Sequence, residues 1–194
     1  MNSKLFSFNN AEIAILRVDD WMSEIPQKVT SEYKKNSKRS IEKAITHHLL
    51  LTHLPNQRLC YNSNGKPYLE DGGYISISHS NSLVGIAWSF EYHIGLDIEE
   101  INDRIFRVEN RFISEKEMTF AKSLLDKLTV WSLKEVLIKI NDDKSLNLKT
   151  DLIIERANEN QWRGWTSKKP QEIHDFITFE YCNNIVCINK ASER

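Results

Sequence analysis

The sequence predicts an α+β fold made of two pseudo-symmetric α/β halves, each a small, mostly antiparallel sheet packed on a long helix. A segment with helical spacing of apolar residues is followed by a hairpin pattern twice along the 194 residues. No Gly/Ser- or Pro-rich linker separates the two occurrences, so we expect the halves to pack tightly. The boundary falls near residues 92–96, which gives an N-terminal half over 1–93 and a C-terminal half over 94–194.

The first half contains one long predicted helix and two predicted hairpins. Apolar residues recur at helical spacing over 31–54 and the pattern ends just before Pro55. Asn-containing pairs between short apolar runs are typical of hairpin turns. The predicted strands of this half cover residues 4–8, 12–18, 74–78 and 83–90, with turns at Asn9-Asn10 and Asn81-Ser82.

The second half repeats this order loosely. Helical spacing predicts one helix over 114–125 and another over 127–140. A terminal hairpin is predicted to turn at Asn183-Asn184. The predicted strands cover residues 94–98, 152–155, 162–165, 176–181 and 185–189.

Composition and charge favour a soluble, cytoplasmic protein. The chain has 40% hydrophobic residues and a net charge of −1, which argues against a nucleic-acid-binding role. No stretch approaches the ~18 apolar residues that cross a bilayer, and the first residues lack an apolar signal segment. The three cysteines show no metal-site spacing and are expected to be buried free thiols: Cys60, Cys182 and Cys187.

Acidic residues on a predicted strand and on a predicted helix form a candidate magnesium site. Asp97 and Glu99 alternate along the strand and so point to the same side. Glu135 and Lys139 lie four residues apart on one face of the helix. Mg²⁺ prefers oxygen ligands, and three converging carboxylates would repel one another without a cation. The alternative is a solvated strand edge with a local Glu135–Lys139 pair.

Two further segments carry groups that can hold phosphate. Gly65 permits close backbone approach, Lys66 supplies a positive charge, and Pro67 fixes the following turn. Ser78 and His79 close a predicted strand and can donate hydrogen bonds to phosphate oxygens. Taken singly, the first segment is also typical of a simple turn, and the histidine is also typical of a surface residue.

In order, the segments GKPYL, ISISHS, IGLDIE, RFISEKE and WSLKEVLIK resemble the 4′-phosphopantetheinyl transferases, most closely the monomeric surfactin-synthetase-activating type. The resemblance covers residues 65–139. It implies a Mg²⁺-dependent enzyme that transfers the phosphopantetheine arm of coenzyme A to a serine of an apo acyl or peptidyl carrier protein and releases 3′,5′-ADP. It also implies a coenzyme A-binding N-terminal half and a metal-binding, catalytic C-terminal half.

The same resemblance implies residue roles. Asp97, Glu99 and Glu135 would hold Mg²⁺, with Lys139 on a pyrophosphate oxygen and both Glu135 and Lys139 acting in catalysis. Glu117 is the candidate general base, although Ser114 and Glu117 also match a helix capping box. The residues expected to bind coenzyme A are Lys28, Lys43, Lys66, Pro67, Ser78, His79 and Lys139.

One departure from the family pattern follows Lys139: a Lys-Gly-Leu-like segment is replaced by Lys144-Ser145-Leu146.

The alternative function is a noncatalytic coenzyme A or nucleotide-binding module that uses the same basic and acidic residues. A metal-dependent pyrophosphate hydrolase is a further alternative. The presence of all three candidate metal carboxylates favours the transferase.

Overall fold

The chain path runs through strands and helices in the same order in both halves. A computed structural model of the chain describes residues 2–8, 10–24, 38–158 and 161–190. The first half contains β1 (Lys4–Phe8), β2 (Ala11–Arg17), α1 (Val18–Glu24), α2 (Lys38–His53), β3 (Leu59–Tyr61), β4 (Pro67–Leu69), β5 (Tyr74–His79) and β6 (Leu83–Ser89). The second half contains β7 (Leu96–Glu100), α3 (Leu124–Asn141), β8 (Leu152–Asn158), β9 (Gln161–Thr166), β10 (Lys169–Tyr181) and β11 (Asn184–Asn189). Short 3₁₀ helices at Asp103–Arg107, Glu109–Arg111 and Glu117–Thr119 connect β7 to α3.

The two sheets have matching strand orders. The first is β1-β2-β6-β5-β4-β3 and the second is β7-β11-β10-β9-β8. In each half one strand leads to a long helix and then to four more strands. The last of these four pairs with the strand that precedes the helix: β6 with β2, and β11 with β7. The paired strands are antiparallel throughout the described residues. The structure is therefore α+β, with a repeated strand–helix–four-strand unit and β1 added at one edge.

Alternation along the strands builds three apolar layers. On β2, Ala14 and Leu16 face α2, whereas Ile13 and Ile15 face the second sheet. A third apolar cluster lies between the second sheet and α3. β6 is buried on both faces, and its sequence is therefore a nearly continuous apolar run, as the predicted 83–90 strand indicates.

The free edge of β7 is bonded by side chains of the first half. The Leu96 amide donates to Ser76 Oγ at 2.9 Å, and the Ile98 amide donates to Ser78 Oγ at 3.0 Å. On the same edge, Lys139 Nζ donates to the Leu96 carbonyl at 2.7 Å. Buried backbone groups need such partners when no strand pairs with them. These bonds join the two sheets beside the predicted metal carboxylates.

The helix predicted over 114–125 is wrong. Only a single 3₁₀ turn forms, at Glu117–Thr119, and the backbone of Ser123 is extended with φ −83° and ψ 167°. Ser123 and Asp126 form a reciprocal capping box that starts α3 at Leu124. The Ser123 cap lies within residues 114–125, whose apolar spacing predicts a separate helix, and it starts α3 there instead. The prediction for 127–140 is confirmed and extended by three residues at its start.

Smaller differences concern turns and thiols. The terminal hairpin turns at Cys182 and Asn183, both with left-handed φ, and not at Asn183-Asn184. The short strands β3 and β4 were not predicted. Of the three free cysteines, Cys187 is buried, Cys60 is half-buried and Cys182 is exposed, so the expectation of buried thiols holds only for Cys187.

Of the helices in the described ranges, none is long and apolar enough to cross a membrane.

Gly95 lets β7 approach α3. A Cβ at this position would lie 2.8 Å from the Val136 carbonyl oxygen and 2.9 Å from Val136 Cγ1. Gly95→Ala should therefore push the strand from the helix and lower the free energy of unfolding by about 1–3 kcal/mol. Urea unfolding followed by circular dichroism measures this change. An unchanged midpoint would contradict the close packing.

Candidate functional site

Asp97 is the centre of a hydrogen-bond network between β7 and α3. Its Oδ1 accepts from Lys139 Nζ at 2.8 Å and from Ser78 Oγ at 3.2 Å. Its Oδ2 accepts from Ser132 Oγ at 2.5 Å. The side chain is buried, and the adjacent ammonium and hydroxyl donors compensate for its removal from water. Lys139 pairs with Asp97 across the elements and not with Glu135 along the helix, in contrast to the local alternative.

Glu99 and Glu135 complete an acidic cluster with Asp97. Glu99 Oε1 accepts from Trp131 Nε1 at 2.8 Å. Burial, and next the charge of Asp97, raise the pKa of Glu99 to about 7. Burial and the charge of Asp97 also raise the pKa of Glu135. The cluster therefore holds more negative charge than Lys139 balances, and this excess favours an additional cation.

The donor set suits Mg²⁺ in its chemistry but not in its present arrangement. Three carboxylates can supply the hard oxygen ligands that this ion prefers, and burial together with the charge of Asp97 raises the pKa of Glu99 and of Glu135. As the side chains stand, no group of three His, Cys, Asp or Glu residues within 2–8, 10–24, 38–158 and 161–190 is arranged to hold a metal. Lys139 and two serine hydroxyls occupy the oxygens of Asp97 instead.

A cavity of about 640 Å³ lies between the two halves. Its first-half wall comes from α2, β3, the Gly65–Pro67 segment and β5, and its second-half wall comes from the end of α3 and the residues after it. Five of the lining side chains are Lys or Arg and two are acidic, so the cavity suits an anionic ligand. The charged and histidine lining residues are Arg39, Glu42, Lys43, His47, Lys66, His79, Lys139, Asp142 and Lys144.

The residues predicted to bind coenzyme A mostly meet at this cavity. Lys43, Lys66, Pro67, His79 and Lys139 all line it. Lys139 also touches Asp97, so it connects the cavity to the acidic cluster. His79 is half-exposed, and its Nδ1 lies 3.2 Å from Glu42 Oε1.

Of the two remaining predicted ligand-binding residues, only Ser78 is described by the structure, and it stands apart from that group. Ser78 is buried and does not line the cavity; its hydroxyl is bonded to β7. It is Ser76, two residues earlier on the strand, that reaches the lining. Lys28 lies outside the described residues.

The Gly65–Pro67 segment is fixed against the end of α3. Gly65 has φ +80°, a conformation that L side chains rarely adopt. Lys66 Nζ donates to the Ile140 carbonyl at 2.9 Å, and burial lowers the pKa of Lys66. Asp142 ends α3 with left-handed φ 54°, and its Oδ2 accepts from Asn62 Nδ2 at 2.7 Å. These bonds set one rim of the cavity from both halves.

Glu117, the predicted base, is buried in a hydrogen-bond network within the protein. Its side chain is 1% exposed, and Oε2 accepts from Lys134 Nζ at 2.7 Å and from the Ser114 amide at 2.8 Å. Oε1 accepts from the Ile154 amide at 3.0 Å. The Glu117 amide in turn donates to Ser114 Oγ at 3.3 Å, which completes the capping box. Because the Glu117 carboxylate is buried and accepts hydrogen bonds from three donors within the protein, we propose that its role is structural.

Sequence reasoning missed Lys134, which lies next to Glu135 on α3. Lys134 is fully buried, and its ammonium donates to Glu117, to the Phe112 carbonyl at 2.7 Å and to the Leu148 carbonyl at 2.8 Å. It also missed Ser132, which bonds Asp97, and Lys144, which lines the cavity. A charged residue on the inward face of an apolar helix was the one sequence signal for Lys134.

The fold and site define a two-half α+β protein with a basic cavity beside a buried carboxylate cluster. No family model matches the chain. Over 94 residues the chain is 30% identical to 4′-phosphopantetheinyl transferase gsp of Aneurinibacillus migulanus. The match covers 44% of this chain and 39% of that relative. This likeness supports the phosphopantetheinyl transferase superfamily at the level of a distant, partial relative.

Replacing one partner of the buried Glu117–Lys134 pair should destabilise the protein. Glu117→Gln leaves a buried ammonium without its counter-ion, which costs about 3–5 kcal/mol of unfolding free energy. Chemical denaturation measures the loss, and Glu115→Gln at the exposed neighbouring acid is the matched control. The double variant Glu117→Leu/Lys134→Met should recover part of the loss. Full stability of Glu117→Gln would contradict the structural role.

The raised pKa of Glu99 should make stability depend on pH in metal-free buffer. A carboxyl with pKa about 7 in the folded chain and 4.5 in its ordinary state stabilises the fold at low pH, and this contribution is lost as pH rises from 4.5 through 7. Glu99→Gln keeps an oxygen for Trp131 and cannot ionise. The melting temperature of Glu99→Gln minus that of the native chain should therefore be larger at pH 8 than at pH 5. The increase should be roughly 2–4 °C for each kcal/mol that the buried charge costs. Thermal unfolding in EDTA at the two pH values measures this; an equal difference at both would contradict the raised pKa.

Proposed function

We propose that this chain is a phosphopantetheinyl transferase, which moves the 4′-phosphopantetheine arm of coenzyme A to a serine hydroxyl of an apo acyl or peptidyl carrier protein and releases 3′,5′-ADP. The observation that carries the proposal is the basic cavity that leads, through Lys139, to the Asp97 cluster. A ligand with a pyrophosphate and a further phosphate matches five lining cations. The partial likeness to gsp of Aneurinibacillus migulanus supports the same class.

The chain's own residues would bind and orient the donor. Lys43, Lys66 and His79 line the first-half wall and can donate to phosphate oxygens. Lys139 has access both to the cavity and to Asp97, so it can contact a pyrophosphate oxygen at the reacting end. Such fixed donors stabilise the charge that develops on the oxygens during phosphoryl transfer.

The acidic cluster gives the proposed site its metal preference. Asp97, Glu99 and Glu135 would hold Mg²⁺, as the donor set and its excess negative charge support. When bound, Mg²⁺ supplies positive charge that polarises pyrophosphate oxygens. The carrier serine has to lose its proton as its oxygen bonds to phosphorus, while the bond from phosphorus to the bridging oxygen breaks and 3′,5′-ADP leaves. The proton acceptor must be a group more accessible than Glu117.

We also propose that the carrier protein meets the connection between β7 and α3. Arg104, Arg107, Arg111 and Lys116 are all exposed there. Phe106 is exposed beside them, with Lys127 Nζ 4.8 Å from its ring centre. A cationic surface with an apolar side chain suits an acidic amphipathic helix. The monomeric type of the family is part of this proposal.

A transfer assay tests the function directly. The native chain, coenzyme A and Mg²⁺ should add one phosphopantetheine group to an apo carrier protein, measured by intact-protein mass spectrometry over a panel of carriers. Binding of coenzyme A without any transfer would favour the noncatalytic module. Release of phosphopantetheine to water without a carrier would favour a hydrolase.

Lys66→Met should weaken coenzyme A binding by about 10- to 100-fold, because a charge-assisted bond to phosphate is lost. The effect should fall on KM for coenzyme A more than on kcat. Steady-state kinetics and calorimetric titration measure it. The matched control is Lys4→Met, an exposed lysine on β1 that does not line the cavity. Equal affinity of Lys66→Met and the native chain would contradict the proposed ligand site.

A further inference from the structure

Ser78 lies behind the cavity wall, at the contact between β5 and β7. Its side chain is 5% exposed. Strand alternation directs Ser76 and Ser78 towards β7, while Ile75 and Ile77 pack against α2 and its surroundings. Among the residues that the structure describes, the first-half side chain that hydrogen-bonds to Asp97 is thus a serine, and it faces the second half.

The hydroxyl of Ser78 has all of its hydrogen-bonding capacity in use. It accepts from the Ile98 amide at 3.0 Å and from Lys139 Nζ at 3.2 Å, and it donates to Asp97 Oδ1 at 3.2 Å. A serine hydroxyl has one donor and two acceptor sites. Ser78 therefore has no remaining bond to offer to a ligand phosphate.

Two of these three bonds reach the two charged groups of the proposed reaction centre, and the third holds the backbone of β7 beside them. Asp97 and Lys139 belong to β7 and α3, and their separation is set within the second half. Ser78 fixes the same pair relative to β5, four of whose other residues line the cavity: Ile75, Ser76, Ile77 and His79. A displacement of about 1 Å between bound donor and catalytic groups is enough to reduce a rate strongly.

We propose that Ser78 is a positioning residue that aligns Asp97 and Lys139 with the ligand bound in the first-half cavity, and that it does not itself bind the ligand. The proposal rests on the proposed function and deepens it. It assigns the first half a direct part in setting the geometry of the acidic cluster. It replaces the coenzyme A-binding role that the sequence suggested for this residue.

Kinetics of Ser78→Ala separate the two roles. Loss of alignment should lower kcat by about 10- to 100-fold, the range expected for hydrogen bonds to charged groups. KM for coenzyme A should change by less than about threefold, because the lining side chains are intact. Ser78→Thr retains the hydroxyl and should recover most of kcat. A raised KM with native kcat would overturn the proposal and return Ser78 to the ligand site.

Ser80→Ala is the matched control. Ser80 is also a buried serine at this end of the strand, and its Oγ accepts from the Leu83 amide at 3.1 Å within the turn to β6. Its loss removes a buried hydroxyl without touching Asp97 or Lys139. If Ser80→Ala lowers kcat as much as Ser78→Ala does, the loss reflects general destabilisation and not alignment. That result would overturn the proposal.

Amide hydrogen exchange tests the contact independently of catalysis. In Ser78→Ala the Ile98 amide should exchange at least about 10-fold faster, because its acceptor is gone. The Ile101 amide, which donates to the Asn183 carbonyl at 3.0 Å, serves as the internal reference. Unchanged exchange at Ile98 would overturn the proposal. If the native chain transfers nothing to any carrier, the proposed function fails, whereas faster exchange at Ile98 still supports the role of Ser78 in holding β7.

Discussion

The ion pair between Lys139 and Asp97 is the interaction on which the rest of the site depends. A buried carboxylate requires a nearby cation and hydrogen-bond donors, and Lys139, Ser78 and Ser132 supply them from α3 and β5. The same ammonium satisfies the Leu96 carbonyl on the open edge of β7. One lysine thus stabilises the edge of the second sheet, neutralises part of the acidic cluster and reaches the cavity.

The pseudo-symmetric fold explains why the site lies between the halves. In each half the last strand of the repeated unit pairs with the first strand of that unit. β6 and β11 therefore have a neighbouring strand on both sides, whereas β7 keeps one free edge. That edge contacts β5 of the other sheet and presents its amides to Ser76 and Ser78. Lys43, Lys66 and His79 reach the cavity from the first half, whereas Lys139 and the carboxylate cluster belong to the second. A cavity lined by both halves follows from this arrangement.

Buried charge has two different uses on α3. On one side, Lys134 is fully paired with Glu117 and two carbonyl groups, which fixes the helix against the connection and β8. On the other side, Glu135 and Glu99 have raised pKa values because burial and Asp97 disfavour their charges. A satisfied charge stabilises a structure, whereas an incompletely balanced cluster favours binding of a further cation. Lys134 and Glu135 are adjacent in sequence, but the rotation of the helix between them directs their side chains to different surroundings. They therefore have different roles.

Local sequence patterns predict the α+β fold class and most element positions, which the structure confirms, and they also predict a cluster of carboxylates. Strand alternation placed Asp97 and Glu99 on one side, and helical spacing placed Trp131, Glu135 and Lys139 on one face, because both patterns depend only on local backbone geometry. The tertiary structure decided what those local patterns cannot encode: that Lys139 pairs with Asp97, that Glu117 is buried against Lys134, and that Ser78 faces β7. Those contacts join residues 17 to 42 positions apart, and packing between elements alone selects such partners.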